Sequence, residues 1–153
     1  MKKIYYGKAV YDNKEIKAVI NVLKNNSLNL IDGPHVKKLE NTVAKIFGKR
    51  FGLMVNSGSS ANLLGLSSFK FKKGSEIITP SLTFATTVAP IYQLGLIPHF
   101  IGVEENKFLA DPNQIEKSIN KKTVAIMIPN LLGNIANWKR INSIAKKYNL
   151  KII

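Results

Sequence analysis

The 153 residues suffice for about one domain with a buried core, and hydrophobic and charged fractions of 45% and 21% are those of a globular chain. The absence of cysteine excludes a disulfide scaffold and any cysteine-based metal site or nucleophile. A formal net charge of +14 invites a nucleic-acid partner, but the lysines are scattered without aromatic interleaving and the arginines are only Arg50 and Arg140, so a composition rich in Lys, Asn and Ile reads as coding bias and no nucleic-acid partner is expected.

At the N-terminus, Met1-Lys2-Lys3 is followed by no apolar run of the secretory kind. No later stretch approaches the roughly 18 apolar residues that cross a bilayer. The expectation is a cytoplasmic protein with no membrane partner. Ile16, Val19, Ile20 and Leu23 form a helical stripe over Glu15 to Lys24. Residues 25–34 are a polar, turn-rich connection. His35 to Phe47 repeats the helical pattern through Val36, Leu39, Val43 and Ile46, with Gly48 as its stop.

From there the period alternates. Strands are predicted over Phe51 to Val55, Glu76 to Thr79, Ile97 to Val103, Val124 to Ile128 and Leu150 to Ile153. Between them, helices are predicted over Ser59 to Phe69, Phe84 to Leu94 (ended by Gly95), Asp111 through Ile119, and Asn137 to Tyr148 with Ile141, Ile144 and Ala145 inward. Short apolar strands alternating with amphipathic helices imply an α/β fold, a mainly parallel sheet covered on both faces. An ending inside a buried strand would leave backbone and apolar face uncovered, which predicts a truncated domain.

The segment Asn56-Ser57-Gly58-Ser59-Ser60 leaves a strand, turns on a glycine and opens a helix. First-turn amides lack internal partners and sit at the positive end of the helix dipole, so a phosphate fits there without a cationic side chain. Ser57 as a simple N-cap is the competing reading. The turn matches neither the Walker pattern nor the dinucleotide fingerprint. After the next strand, Thr83-Phe84 places an aromatic at a second helix start. In an open parallel sheet both segments face the carboxyl end, where ligands bind. A phosphate cradle beside an aromatic suits a phosphorylated planar heterocycle, although Phe84 as a core residue is the alternative.

Taken with Asp32-Gly33-Pro34, Leu39-Glu40, Phe47-Gly48, Val55 through Asn62, Lys73 through Pro80, Gly95-Leu96-Ile97-Pro98 and Lys122 through Ile128, these segments resemble the DegT/DnrJ/EryC1/StrS family of nucleotide-sugar aminotransferases, fold-type I pyridoxal-phosphate enzymes. The resemblance implies a three-layer large domain, incomplete here, with residues 1–34 as a helical arm and 35–153 as the first portion of the cofactor domain. It implies pyridoxal (or pyridoxamine) 5'-phosphate as cofactor, held by the amides of Gly58, Ser59 and Ser60 with Phe84 stacked on the ring. It further implies a nucleotide-linked keto-sugar substrate, glutamate as amino donor, a homodimer, and polysaccharide or deoxysugar biosynthesis.

The family's acid at the pyridine nitrogen and its Schiff-base lysine would fall after Ile153, so no catalytic residue is assigned and the 153 residues alone are expected to show no turnover. Apolar surface left open by truncation is expected to favour aggregation. Ser67-Ser68-Phe69-Lys70 superficially matches the family's lysine region but lies far too early, and reads as a solvated helix end. The runs Leu132-Gly133-Asn134 and Ser59-Ser60-Ala61-Asn62 are similar instead to the deoxysugar 3-dehydratase branch, which keeps fold and cofactor but eliminates a hydroxyl. A non-catalytic basic binding module is a further alternative.

His35 and His99 lack metal-ligand spacing and are expected to be structural or surface residues, with no metal site. Trp138 is expected to pack, and Asp12, Glu40, Glu104, Glu105 and Asp111 to serve as caps and surface charges.

Overall fold

The computed structural model describes residues 3–5, 7–26, 28 and 30–153, and the chain divides into two compact units, Met1–Met54 and Val55–Ile153.

In the first unit, Asp12 and Glu15 form a capping box that starts helix α1 (Asn13–Asn25). Pro34 occupies the first turn of α2 (Pro34–Ile46), where its missing N–H costs nothing. Gly48, at φ +60°, ends that helix in the left-handed region. The predicted stripes are present but uncovered: α1 has no buried residue and α2 buries only Ala44.

The strand expected over Phe51 to Val55 does not form. A strand needs a ladder partner, and Phe51 and Leu53 are both 77% exposed. The Met54 amide instead donates to Glu40 Oε1 at 2.8 Å.

The second unit is a three-layer α/β sandwich. Four parallel strands, β1 (Glu76–Pro80), β2 (Ile97–Ile101), β3 (Thr123–Ile126) and β4 (Lys151–Ile152), lie in the order β2-β1-β3-β4. The connecting helices are α3 (Gly58–Ser68), α4 (Ala85–Gln93), α5 (Pro112–Ser118) and α6 (Trp138–Lys147). Neighbouring residues of β1 serve opposite faces, as strand alternation requires. Ile77 packs with Leu66 of α3 and Ile91 of α4, while Ile78 packs with Ile115 of α5 and with Ile141 and Ile144 of α6.

The β1–β2 connection moves one way along the sheet and the β3–β4 connection the other. Their helices accordingly cover opposite faces, the pattern that right-handed crossovers produce. Strand β2 ends two residues earlier than expected because the Gly102 amide leaves the ladder to donate to Gln114 Oε1 at 2.8 Å. Gly95, at φ +69°, ends α4 as expected, and Asp111 caps α5 through the Asn113 amide.

Candidate functional site

The connections leave β1 and β3 in opposite directions along the sheet, so the crevice beyond the carboxyl ends of these two parallel strands is the topological switch point where open α/β sheets bind ligands. The first turns of α3 and α4 meet at this edge. Ser59 and Ser60 line one cavity of about 230 Å³ with Leu63, Thr86, Ala89 and Pro90. Ser59, Ser60 and Thr86, one or more from each of the two segments, thus line one groove that runs between α3 and α4 as far as Gln93.

The turn before α3 is preorganised by its own hydroxyls. Ser57 is the N-cap, and its Oγ accepts from the Ser60 amide at 3.1 Å. Its carbonyl accepts from the Ala61 amide at 3.0 Å. The Ser60 hydroxyl donates to Asn56 Oδ1 at 2.8 Å, which fixes the turn from the preceding side. These bonds engage the amides of residues 60 and 61. The amides of Gly58 and Ser59, at the positive end of the helix dipole, have no helical partner by position.

A Cβ built on Gly58 would meet nothing within 4 Å. The chain's own packing thus does not require glycine there, and the space in front of the helix is open. Phe84 is the N-cap of α4, makes no side-chain capping bond, and is 69% exposed. Its ring is not a core residue and does not line the 230 Å³ cavity.

A second, smaller cavity of about 110 Å³ lies beside the end of β3, lined by Asn62, Thr87, Met127, Ile128, Pro129 and Ile153. Asn62 also bridges the two helices: its Nδ2 donates to the carbonyl of Thr86 at 3.1 Å. In a regular helix that carbonyl takes the amide of residue 90, but residue 90 is Pro90, which has none. Sequence alone leaves Asn62 as one residue of a turn motif and gives Pro90 no role. The available signal is a proline inside a helical pattern, which orphans the carbonyl four residues earlier.

Among the described residues, the buried hydroxyls of Thr79 and Thr83 have no hydrogen-bond partner; both lie at or just after the carboxyl end of β1. The loop after β3 is anchored by Asn130, whose Oδ1 accepts from the Ala136 amide and from Trp138 Nε1, each at 3.1 Å. Trp138 is packed against the core, as expected. His35 is exposed, and His99 Nδ1 lies 3.3 Å from Glu76 Oε2, at the first residue of β1 and away from the cleft. Lys70, in the segment that mimics a catalytic lysine region, is exposed beside the stacked rings of Phe69 and Phe71.

A model of the DegT/DnrJ/EryC1/StrS aminotransferase family matches residues 10–153. The GDP-4-keto-6-deoxy-D-mannose 3-dehydratase of Yersinia pseudotuberculosis is 32% identical over 151 residues, 95% of this chain and 38% of the relative. The dTDP-3-amino-3,6-dideoxy-alpha-D-galactopyranose transaminase of Aneurinibacillus thermoaerophilus is 32% identical over 140 residues, 92% of this chain and 38% of the relative. A solved structure of the E coli GDP-4-keto-6-deoxy-D-mannose-3-dehydratase with bound hydrated PLP superposes with a TM-score of 0.86 at 34% identity, covering 95% of this chain and 38% of that one. The chain thus spans about 38% of the length of these relatives.

Proposed function

The chain belongs to the DegT/DnrJ/EryC1/StrS aminotransferase family, and from that premise we propose that it carries the phosphate cradle and ring-stacking face of an enzyme that uses pyridoxal or pyridoxamine 5'-phosphate on a nucleotide-linked keto-sugar. The observation that carries this reading is the open, amide-lined start of α3 at the switch point, with room at Gly58 that the chain itself leaves unfilled.

The residues fit a phosphate ester. Gly58 and Ser59 offer amides, Ser59 adds a hydroxyl donor, and Ser60 keeps the turn rigid through Ser57 and Asn56. Phe84 offers an uncommitted aromatic face for the ring. When bound, the cofactor supplies an electron-withdrawing ring that stabilises negative charge developing on the substrate carbon. The contribution of these residues is to bind and orient it.

In this reading residues 1–34 are a helical arm and residues 35–153 the first portion of the cofactor domain. The whole protein moves an amino group from glutamate to the sugar carbonyl, acts as a homodimer, and works in the cytoplasm in polysaccharide or deoxysugar biosynthesis. Among the described residues no helix is long and apolar enough to cross a membrane. A second reading, dehydration at the neighbouring sugar carbon, rests on the Leu132-Gly133-Asn134 run; the 32% identity to a 3-dehydratase equals that to the transaminase and does not separate the two.

The test is a titration of the chain with pyridoxamine 5'-phosphate and with phosphate-free pyridoxamine. A preference for the phosphorylated compound that is lost in Gly58→Val supports the cradle. Equal affinities for the two compounds overturn it.

A further inference from the structure

We propose that Asn62 is a positioning residue for the cofactor, acting as a latch between α3 and α4 that exists because Pro90 withholds a helical hydrogen bond. The inference rests on the reading of Gly58 and Ser59 as a phosphate cradle, with Ser60 holding its turn, and extends it to a residue that touches no phosphate.

The carbonyl of Thr86 belongs to the first turn of α4, the helix whose N-cap is Phe84. With an N–H at position 90 this oxygen would be engaged within α4, and a bond from outside the helix would only add to a carbonyl already satisfied. Pro90 removes that donor, and Asn62 Nδ2 takes the place at 3.1 Å. One helix defect and one amide thereby join the helix that starts at Gly58 to the helix that starts just after Phe84.

Asn62 sits one turn after Gly58, close enough for the latch to set the distance between the cradle and the turn carrying the aromatic. Asn62 itself lines the smaller cavity while Thr86 and Pro90 line the larger one, so the bond links residues of both. The side chain is part-buried and its donor is specific. Leucine at position 62 would fill similar space and donate nothing, removing the side-chain donor that stands in for the missing amide of residue 90.

Satisfying a carbonyl and positioning a helix are separable roles, because Pro90→Ala restores an internal donor to Thr86 without restoring the latch. The experiment compares wild type, Asn62→Leu, Pro90→Ala and the double variant by thermal midpoint and by affinity for pyridoxamine 5'-phosphate, with pyridoxamine as control. Asn62→Leu alone is expected to lower the midpoint by about 5 °C, the cost of one unsatisfied carbonyl in a unit of this size. In the Pro90→Ala background the same change should cost less than about 2 °C. Affinity for pyridoxamine 5'-phosphate should fall about tenfold in Asn62→Leu and stay low in the double variant.

An Asn62→Leu cost that is equal in both backgrounds overturns the shared carbonyl. Wild-type affinity in the folded double variant overturns the positioning role while leaving the cradle intact. Failure of the wild type to prefer the phosphorylated compound overturns the cradle, and the positioning role with it.

Discussion

Asn120 Nδ2 donates to Glu76 Oε2 across 2.6 Å, tying the segment after α5 to the first residue of β1. The same oxygen lies 3.3 Å from His99 Nδ1, and the Glu76 side chain is only 15% exposed. The Asn120 hydrogen bond is the largest influence on this carboxyl; with His99 and the charge of Lys122 it holds the group below its ordinary value of 4.5, against the opposing effect of burial. A depressed value in the folded state means the carboxylate stabilises the fold fully above the ordinary value. That contribution is lost as pH falls through the folded value. Thermal midpoints from neutral pH down to about pH 3 should therefore drop less steeply in Glu76→Gln than in the wild type. Parallel curves would remove Glu76 from the acid transition.

Gly58→Ala separates function from folding. Position 58 is the first residue of α3, a Cβ there meets nothing within 4 Å, and its φ is not in the left-handed region. Alanine should leave stability unchanged or raise it by up to about 1 kcal/mol through reduced freedom of the unfolded chain. A methyl group at the mouth of the cradle should nevertheless weaken pyridoxamine 5'-phosphate binding relative to wild type. Calorimetric unfolding and a binding titration on one preparation check both halves.

Much of this architecture is legible in the sequence where a single segment determines the outcome. The stripe Ile141, Ile144 and Ala145 has helical spacing, and all three are buried on one face of α6. Gly48 and Gly95 stop their helices at positive φ, which needs only local geometry. The segment Phe51 to Val55 shows the limit, since apolar composition cannot report whether a ladder partner is present. The Asn62–Thr86 bond is invisible for a related reason: its two residues are 24 apart and only the docking of α3 on α4 brings them together. The placement of Phe84 at a helix start is readable, but its use is not, because an exposed ring leaves no trace in the packing of its own chain.

Phe84→Ala should behave like a surface change in the unliganded protein. The ring makes no capping bond and is 69% exposed, so the stability change is expected within about 0.5 kcal/mol. Loss of an aromatic face over the cofactor ring should weaken pyridoxamine 5'-phosphate binding about tenfold, with Phe84→Tyr near wild type. Unaltered affinity in Phe84→Ala would remove the stacking role.

Gly52→Ala makes the same chemical change as Gly58→Ala and should have the opposite effect on stability. A Cβ at position 52 would lie 2.6 Å from the carbonyl oxygen of Glu40 and 3.2 Å from its carbonyl carbon, and these are backbone atoms of α2 that cannot turn away as a flexible side chain would. The Glu40 side chain is engaged nearby as the acceptor of the Met54 amide at 2.8 Å, so a shift of α2 also disturbs that bond. Overpacking of this kind costs about 1–3 kcal/mol. Thermal unfolding should show the loss, and amide exchange at Met54 should accelerate in the variant as its acceptor moves. Unchanged exchange at Met54 together with unchanged stability would mean that the backbone at Gly52 and Glu40 separates at little cost, and the close approach would then not be what holds this segment against α2.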